Sequence, residues 1–271
     1  MNLSPAQATT RPSAAGDLFA RQAPIHPGLP DLAHLHPALW RAQQLGRQRD
    51  AVVASGHAEL DAELPGGGWP ARALTELLLP HAGIGEWRLL APALATVQRS
   101  GRTLILFDPP EALCAWALQA LGLGLQQLVL VRARDGLQGR ARALLPAADV
   151  LWALEQALKS GHAGAVMAWL PHNVRPESLR RLQLAAQAHD GPAFLLREGQ
   201  AQARPSAAPL RLLLAPAAPD LLRVQLLKRR GPPQLQPLLL PLAAVLSEPA
   251  LVRAQGLQAT AAPAAPAAVP R

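Results

Sequence analysis

Short apolar runs separated by helical periods constrain this chain more than any other feature. Leu74 to Leu79, Thr103 to Phe107, Leu128 to Val131, Ala165 to Leu170 and Ala193 to Leu196 read as buried strands. Between them lie segments with helical spacing. Glu86 to Arg99 is stopped by Ser100-Gly101, and Ala112 to Leu121 is ended by Gly122. Asp149 to Lys159 has Asp149 as its candidate N-cap, and Pro176 to His189 carries proline in its first turn. Strand–helix alternation of this kind argues for a mostly parallel sheet covered on both faces, which places the chain in the α/β class. Two later runs, LRLLL and LLRVQLLK, read as antiparallel strands forming a hairpin-like edge.

The ends read differently. Residues 1–30 mix Pro, Ala, Gly, Gln and Thr without a sustained apolar period and read as a flexible arm. Residues 31–48 read as a helical segment, with Leu32, Leu35, Leu39 and Trp40 at helical spacing and Pro37 as a break or new start. The core is expected over 49–247. The Ala/Pro tail, 248–271, reads as extended and mobile. Aromatics are only 3% of the chain and tyrosine is absent, so the core must rest on Leu, Ala and Val. Trp116 and Trp152 are expected to pack within it. The single Cys114 excludes an intramolecular disulfide and a zinc site of several cysteines. The histidines lack metal-binding spacing, and no serine sits in a nucleophile elbow. No cofactor or metal is expected. No apolar run approaches the ~18 residues of a membrane span, and a soluble cytoplasmic protein is expected, with no membrane partner.

The loop after the first long strand is where such a fold binds phosphate, through backbone N–H groups and a helix N-terminus. Here it reads Pro80-His81-Ala82-Gly83-Ile84-Gly85-Glu86-Trp87. A phosphate-binding P-loop needs glycine, four residues, glycine, lysine, then serine or threonine. Gly85 stands at the second glycine. Pro80 stands at the first, Glu86 at the lysine and Trp87 at the hydroxyl. A carboxylate repels a triphosphate, and indole cannot ligate magnesium. The only two lysines, Lys159 and Lys228, lie elsewhere. Nucleotide hydrolysis is not expected.

Ser55-Gly56, Leu60-Asp61, Gly67-Gly68-Trp69-Pro70 and Glu76, followed by this loop, resemble the entry to the RecA recombinase core. HLHPALWRAQQL, ELDAELPGGGWP, AVMAWLP, RPESLRRLQLAAQA and LLKRRGPP further resemble the ImuA family, RecA-like accessory proteins of damage-induced translesion synthesis that are also related to SulA. The resemblance spans about residues 31–240. It implies a RecA-like core with a mostly parallel sheet. RecA's P-loop lysine falls on Glu86, its catalytic glutamate near Pro110 and its Walker B aspartate near Trp169. The resemblance also implies short remnants of both DNA-binding loops. Trp87 and Trp169 either fill the former nucleotide pocket or face a partner. Asp108 reads as the cap of the next helix.

Two basic clusters complete the reading: Arg175, Arg180 and Arg181 at a helix start, and Lys228-Arg229-Arg230 closing a strand. Cations at a helix N-terminus oppose the dipole, so either an external phosphate backbone or a solvated basic face accounts for them. The resemblance implies a non-catalytic adaptor of the damage (SOS) response that joins ImuB to an error-prone polymerase, touching RecA and DNA backbone and gathering at the nucleoid. LLLPLAAVL, Leu238 to Leu246, is a candidate docking element. The alternatives are a SulA-like inhibitor of cell division and a weak ATP- or DNA-binding recombinase relative.

Overall fold

The computed structural model describes residues 51–132, 147–234 and 236–244. The expected arm, N-terminal helical segment and Ala/Pro tail lie outside the described residues. The first strand of the core is β3, Leu74–Leu79, whose six residues are all buried. It follows a two-residue ribbon, β1 (Val52–Val53) with β2 (Trp69–Pro70), and the short helix α1, Ala58–Glu63. Then come α2 (Glu86–Arg99), β4 (Thr103–Phe107), α3 (Ala115–Ala120) and β5 (Leu128–Val131). The chain continues through α4 (Ala147–Lys159), β6 (Ala163–Leu170), α5 (Pro176–Ala186) and β7 (Ala193–Glu198). It closes with β8 (Leu210–Ala218), β9 (Leu221–Lys228) and β10 (Leu238–Pro241).

β3 through β10 build one eight-stranded sheet in the order β10-β9-β8-β3-β7-β6-β4-β5. The six strands from β8 to β5 in that order pair in parallel. The β8–β9 hairpin and β10 add antiparallel pairs at one end. The α/β architecture read from the sequence is present, with β10 rather than the hairpin at the edge. Alternation along the central strands splits the core in two. Leu77, Leu79, Phe194, Leu196, Leu104 and Leu106 face α2 and α3, where Leu89, Leu90, Leu94 and Leu118 meet them. Leu74, Ala193, Leu195, Val166 and Ala168 face α4 and α5, which contribute Leu154, Leu158, Leu179 and Leu182. Trp69 is fully buried and meets Phe194 edge-on at 5.3 Å.

Several local expectations are corrected. Trp116 and Trp152 are not core residues: they are 82% and 61% exposed. Val150, Leu154 and Leu158, spaced four apart, define the buried face of α4, and Trp152 falls on the opposite side. Only Leu118 of α3 is buried. Asp108 does not cap a helix. It adopts φ 47° and donates its N–H to the Val131 carbonyl at 2.8 Å, and α3 begins beyond Cys114. Asp149 lies inside the first turn of α4 rather than before it. α5 ends at Ala186, three residues earlier than expected. Leu238–Pro241 is a sheet strand in which Leu240 is buried and Leu239 is 50% exposed, and Leu242 just beyond it is buried, so the described part of the expected docking element is only partly exposed.

Candidate functional site: a phosphate-type loop holding its own carboxylate

β3 delivers the chain to Pro80–Gly85 at the end of the parallel strands, and α2 starts at Glu86. This is the strand–loop–helix geometry that cradles phosphate in nucleotide-binding folds. Pro80, His81, Ala82 and Gly83 are exposed, while Ile84, Gly85 and Glu86 are buried. Gly83 has φ 86° and Gly85 φ 117°, a backbone that side chains resist. A Cβ on Gly85 would also lie 2.7 Å from Leu242 Cδ1.

The nest so formed is occupied by the chain itself. Glu86 is 1% exposed. Its Oε1 accepts the Gly83 N–H at 2.7 Å, and its Oε2 accepts the Gly85 N–H at 3.2 Å. These are donors that would otherwise face an anion, and the carboxylate also sits at the positive end of α2. The first side chain of α2 thus takes the place that an anion would occupy in a loop of this geometry.

Further groups roof the loop. Trp87 and Trp169 pack against each other with ring centroids 5.6 Å apart and planes tilted by 34°. Both are half-buried against the α2-side core. Arg88 pairs with Asp220 at the β8–β9 turn and donates to the Ala243 carbonyl at 3.2 Å. The Leu242 N–H is held by the Asp220 carbonyl at 2.8 Å. The segment after β10 is thereby pinned over Gly85. No short motif announces this roof, because its parts lie far apart in the chain.

Below the loop, Glu76 is fully buried between two arginines, Arg197 on β7 and Arg211 on β8. Register explains the meeting: Glu76 lies opposite Arg211, and Arg197 is two residues beyond its partner Leu195 on the same face. Arg197 also donates to the His172 carbonyl at 2.7 Å, and Arg211 to the Ala201 carbonyl at 2.9 Å. Every charge in the trio is therefore bonded. The sequence marked Glu76 but did not mark its two arginines. Five residues, 171–175, join β6 to α5, and a 3₁₀ turn, Gly199–Ala203, starts the connection from β7 to β8, so both connections are short.

The two basic clusters do not meet. Arg175 and Arg180 are exposed beside the C-terminal end of β6. Arg181 is bonded to Glu155 of α4 at 2.5 Å. The Lys159 hydrogen bond and the nearby Arg181 charge hold the Glu155 carboxyl below its ordinary range. Lys228 closes β9, which runs antiparallel and so ends where the parallel strands begin. It donates to the Ser206 carbonyl at 3.1 Å, and Arg229 is bound to Glu63 at 2.5 Å. Arg229 thus ties the sheet to α1. Arg230 also has an interaction within the chain. Among the described residues no group of three His, Cys, Asp or Glu is placed to hold a metal. No helix among them is long and apolar enough to cross a membrane.

The sheet order and the loop define a RecA-like α/β core. Sequence comparison agrees, although no family model matches the chain. RecA of Lactococcus lactis subsp. cremoris MG1363 is 31% identical over 102 residues, 38% of this chain and 26% of that RecA. The cell division inhibitor SulA of Pectobacterium carotovorum PC1 is 31% identical over 109 residues, 40% of this chain and 58% of SulA. RecA of Lactobacillus delbrueckii subsp. bulgaricus ATCC 11842 is 33% identical over 89 residues, 33% of this chain and 27% of that RecA. The matched stretch thus spans about a quarter of each RecA and little over half of SulA. Over these stretches the chain is related in sequence to RecA and SulA.

Proposed function

We propose that this chain is a non-catalytic, ImuA-like accessory protein of the DNA-damage (SOS) response, assembling ImuB and an error-prone DNA polymerase for translesion synthesis. The observation that carries the proposal is the Glu86 carboxylate bonded to the Gly83 and Gly85 N–H groups. A triphosphate entering that nest would have to displace a bonded, buried anion and would meet no lysine. A hydroxyl for magnesium is also missing, since Trp87 stands in its place and packs on Trp169. Without nucleotide to turn over, a RecA-type core retains its surfaces, and exposed Trp116 and Trp152 are suited to bind protein.

The direct experiment is affinity capture of purified ImuB by the folded full chain. Co-elution is expected. Repeated failure to recover ImuB would remove the adaptor reading. The SulA relationship favours a second reading, inhibition of cell division through the FtsZ division protein. Sedimentation of FtsZ polymer separates the two: an adaptor leaves the pellet unchanged, whereas a SulA-like inhibitor depletes it.

A further inference from the structure

We infer that β5 is a self-pairing edge through which two copies of this chain join their sheets about a two-fold axis. β5 is the last strand of the eight and pairs only with β4 among the described residues. Its four residues, Leu128-Val129-Leu130-Val131, contain none of the devices that blunt an open edge: no lysine, no proline and no bulge. The opposite edge, β10, ends in Pro241. Val129 and Leu130 are 47% and 41% exposed. They point to opposite faces, so each face of this strand carries one exposed apolar side chain, while Leu128 and Val131 pack partly against the two core layers.

Backbone direction identifies which groups are free to pair. Asp108 donates its N–H to the Val131 carbonyl, so Val131, and by alternation Val129, turn their polar groups toward β4. Leu130 therefore presents both its N–H and its C=O outward. The Leu128 carbonyl also faces outward, while its N–H is bonded to Leu125. An antiparallel partner with the two-fold axis at Leu130 lets the two Leu130 residues exchange both bonds. It also sets the Leu128 carbonyl of each copy opposite the Arg132 N–H of the other. The edge is thus complementary to itself.

Charge permits the same register. Arg132 is the first charged residue after the strand, and its guanidinium donates to the Glu111 carbonyl at 2.8 Å. In the paired edge each Arg132 lies opposite a leucine. The two Arg132 backbones are four residues apart along the strands, about 14 Å at ~3.4 Å per residue. That exceeds the Debye length of ~10 Å at 0.1 M salt, so like charges do not oppose the pairing. This arrangement is closed and isologous, and it is independent of the adaptor reading.

Light scattering on the eluting full chain tests it. The wild type is expected at twice the 28.6 kDa chain mass. Leu130→Pro removes the outward N–H while leaving the bonds to β4, and is expected to halve the mass with unchanged circular dichroism. Leu130→Arg and Leu130→Glu, each folded, are each expected as monomers. Mixed in equal amounts they should regain the doubled mass, because residue 130 faces itself. A monomeric wild type, or an oligomer unaffected by all three substitutions, would overturn the inference. So would failure of the mixed pair to associate.

Discussion

His189 is fully buried beside the start of β7. Burial, and next the Arg102 charge, push its pKa from 6.5 down to about 4. The neutral ring is therefore the folded form, whereas the unfolded chain takes a proton near 6.5. The sign follows: this contribution to stability is fully present above pH 6.5 and is lost as pH falls toward 4. The loss is on the order of 3 kcal/mol at ~1.4 kcal/mol per pKa unit. Urea midpoints at pH 7.5 and 4.5 should converge for His189→Leu relative to wild type. An equal acid loss in both proteins would contradict this assignment. Asp190, next in the chain, shifts the same way for a different reason: its hydrogen bond to Arg72 holds its carboxyl below the ordinary range, so its contribution too is lost as pH falls.

Among the elements, β3 carries the buried charge that ties three strands together. Glu76→Gln leaves Arg197 and Arg211 facing a neutral group in the interior, and removal of one partner from a buried ionic cluster costs about 3–5 kcal/mol. Chemical denaturation should show that loss, and a change under 1 kcal/mol would mean the trio is not coupled. The strand–helix alternation was legible because Leu74–Leu79 and Thr103–Phe107 are apolar runs bounded by turns. Tryptophan placement was not, because residue type outweighed position. The spacing of Val150, Leu154 and Leu158 already put Trp152 outside, and that signal was available. The trio around Glu76 depends on strand register, which local sequence does not encode. Likewise, the sequence puts Glu86 where a P-loop motif would carry lysine, but that its carboxylate turns back onto Gly83 is a matter of backbone geometry.

For the whole molecule, the proposed nucleic-acid contact is tested first at Arg175 and Arg180, which are exposed together at the start of α5. Charge reversal at both should weaken binding to single-stranded DNA and reduce the slope of log affinity against log salt by about 1.4, at ~0.7 per phosphate contact. Unchanged affinity would leave a solvated basic face. Arg229→Glu, by contrast, should lower stability, because Arg229 is tied to Glu63. The central claim is that a phosphate-type nest is filled from within, and calorimetric titration of magnesium–ATP into homogeneous full chain tests it most directly. No saturable heat is expected from the wild type, and Glu86→Lys should bind more tightly than wild type. Magnesium-dependent binding by the wild type that Glu86→Lys fails to strengthen would contradict it.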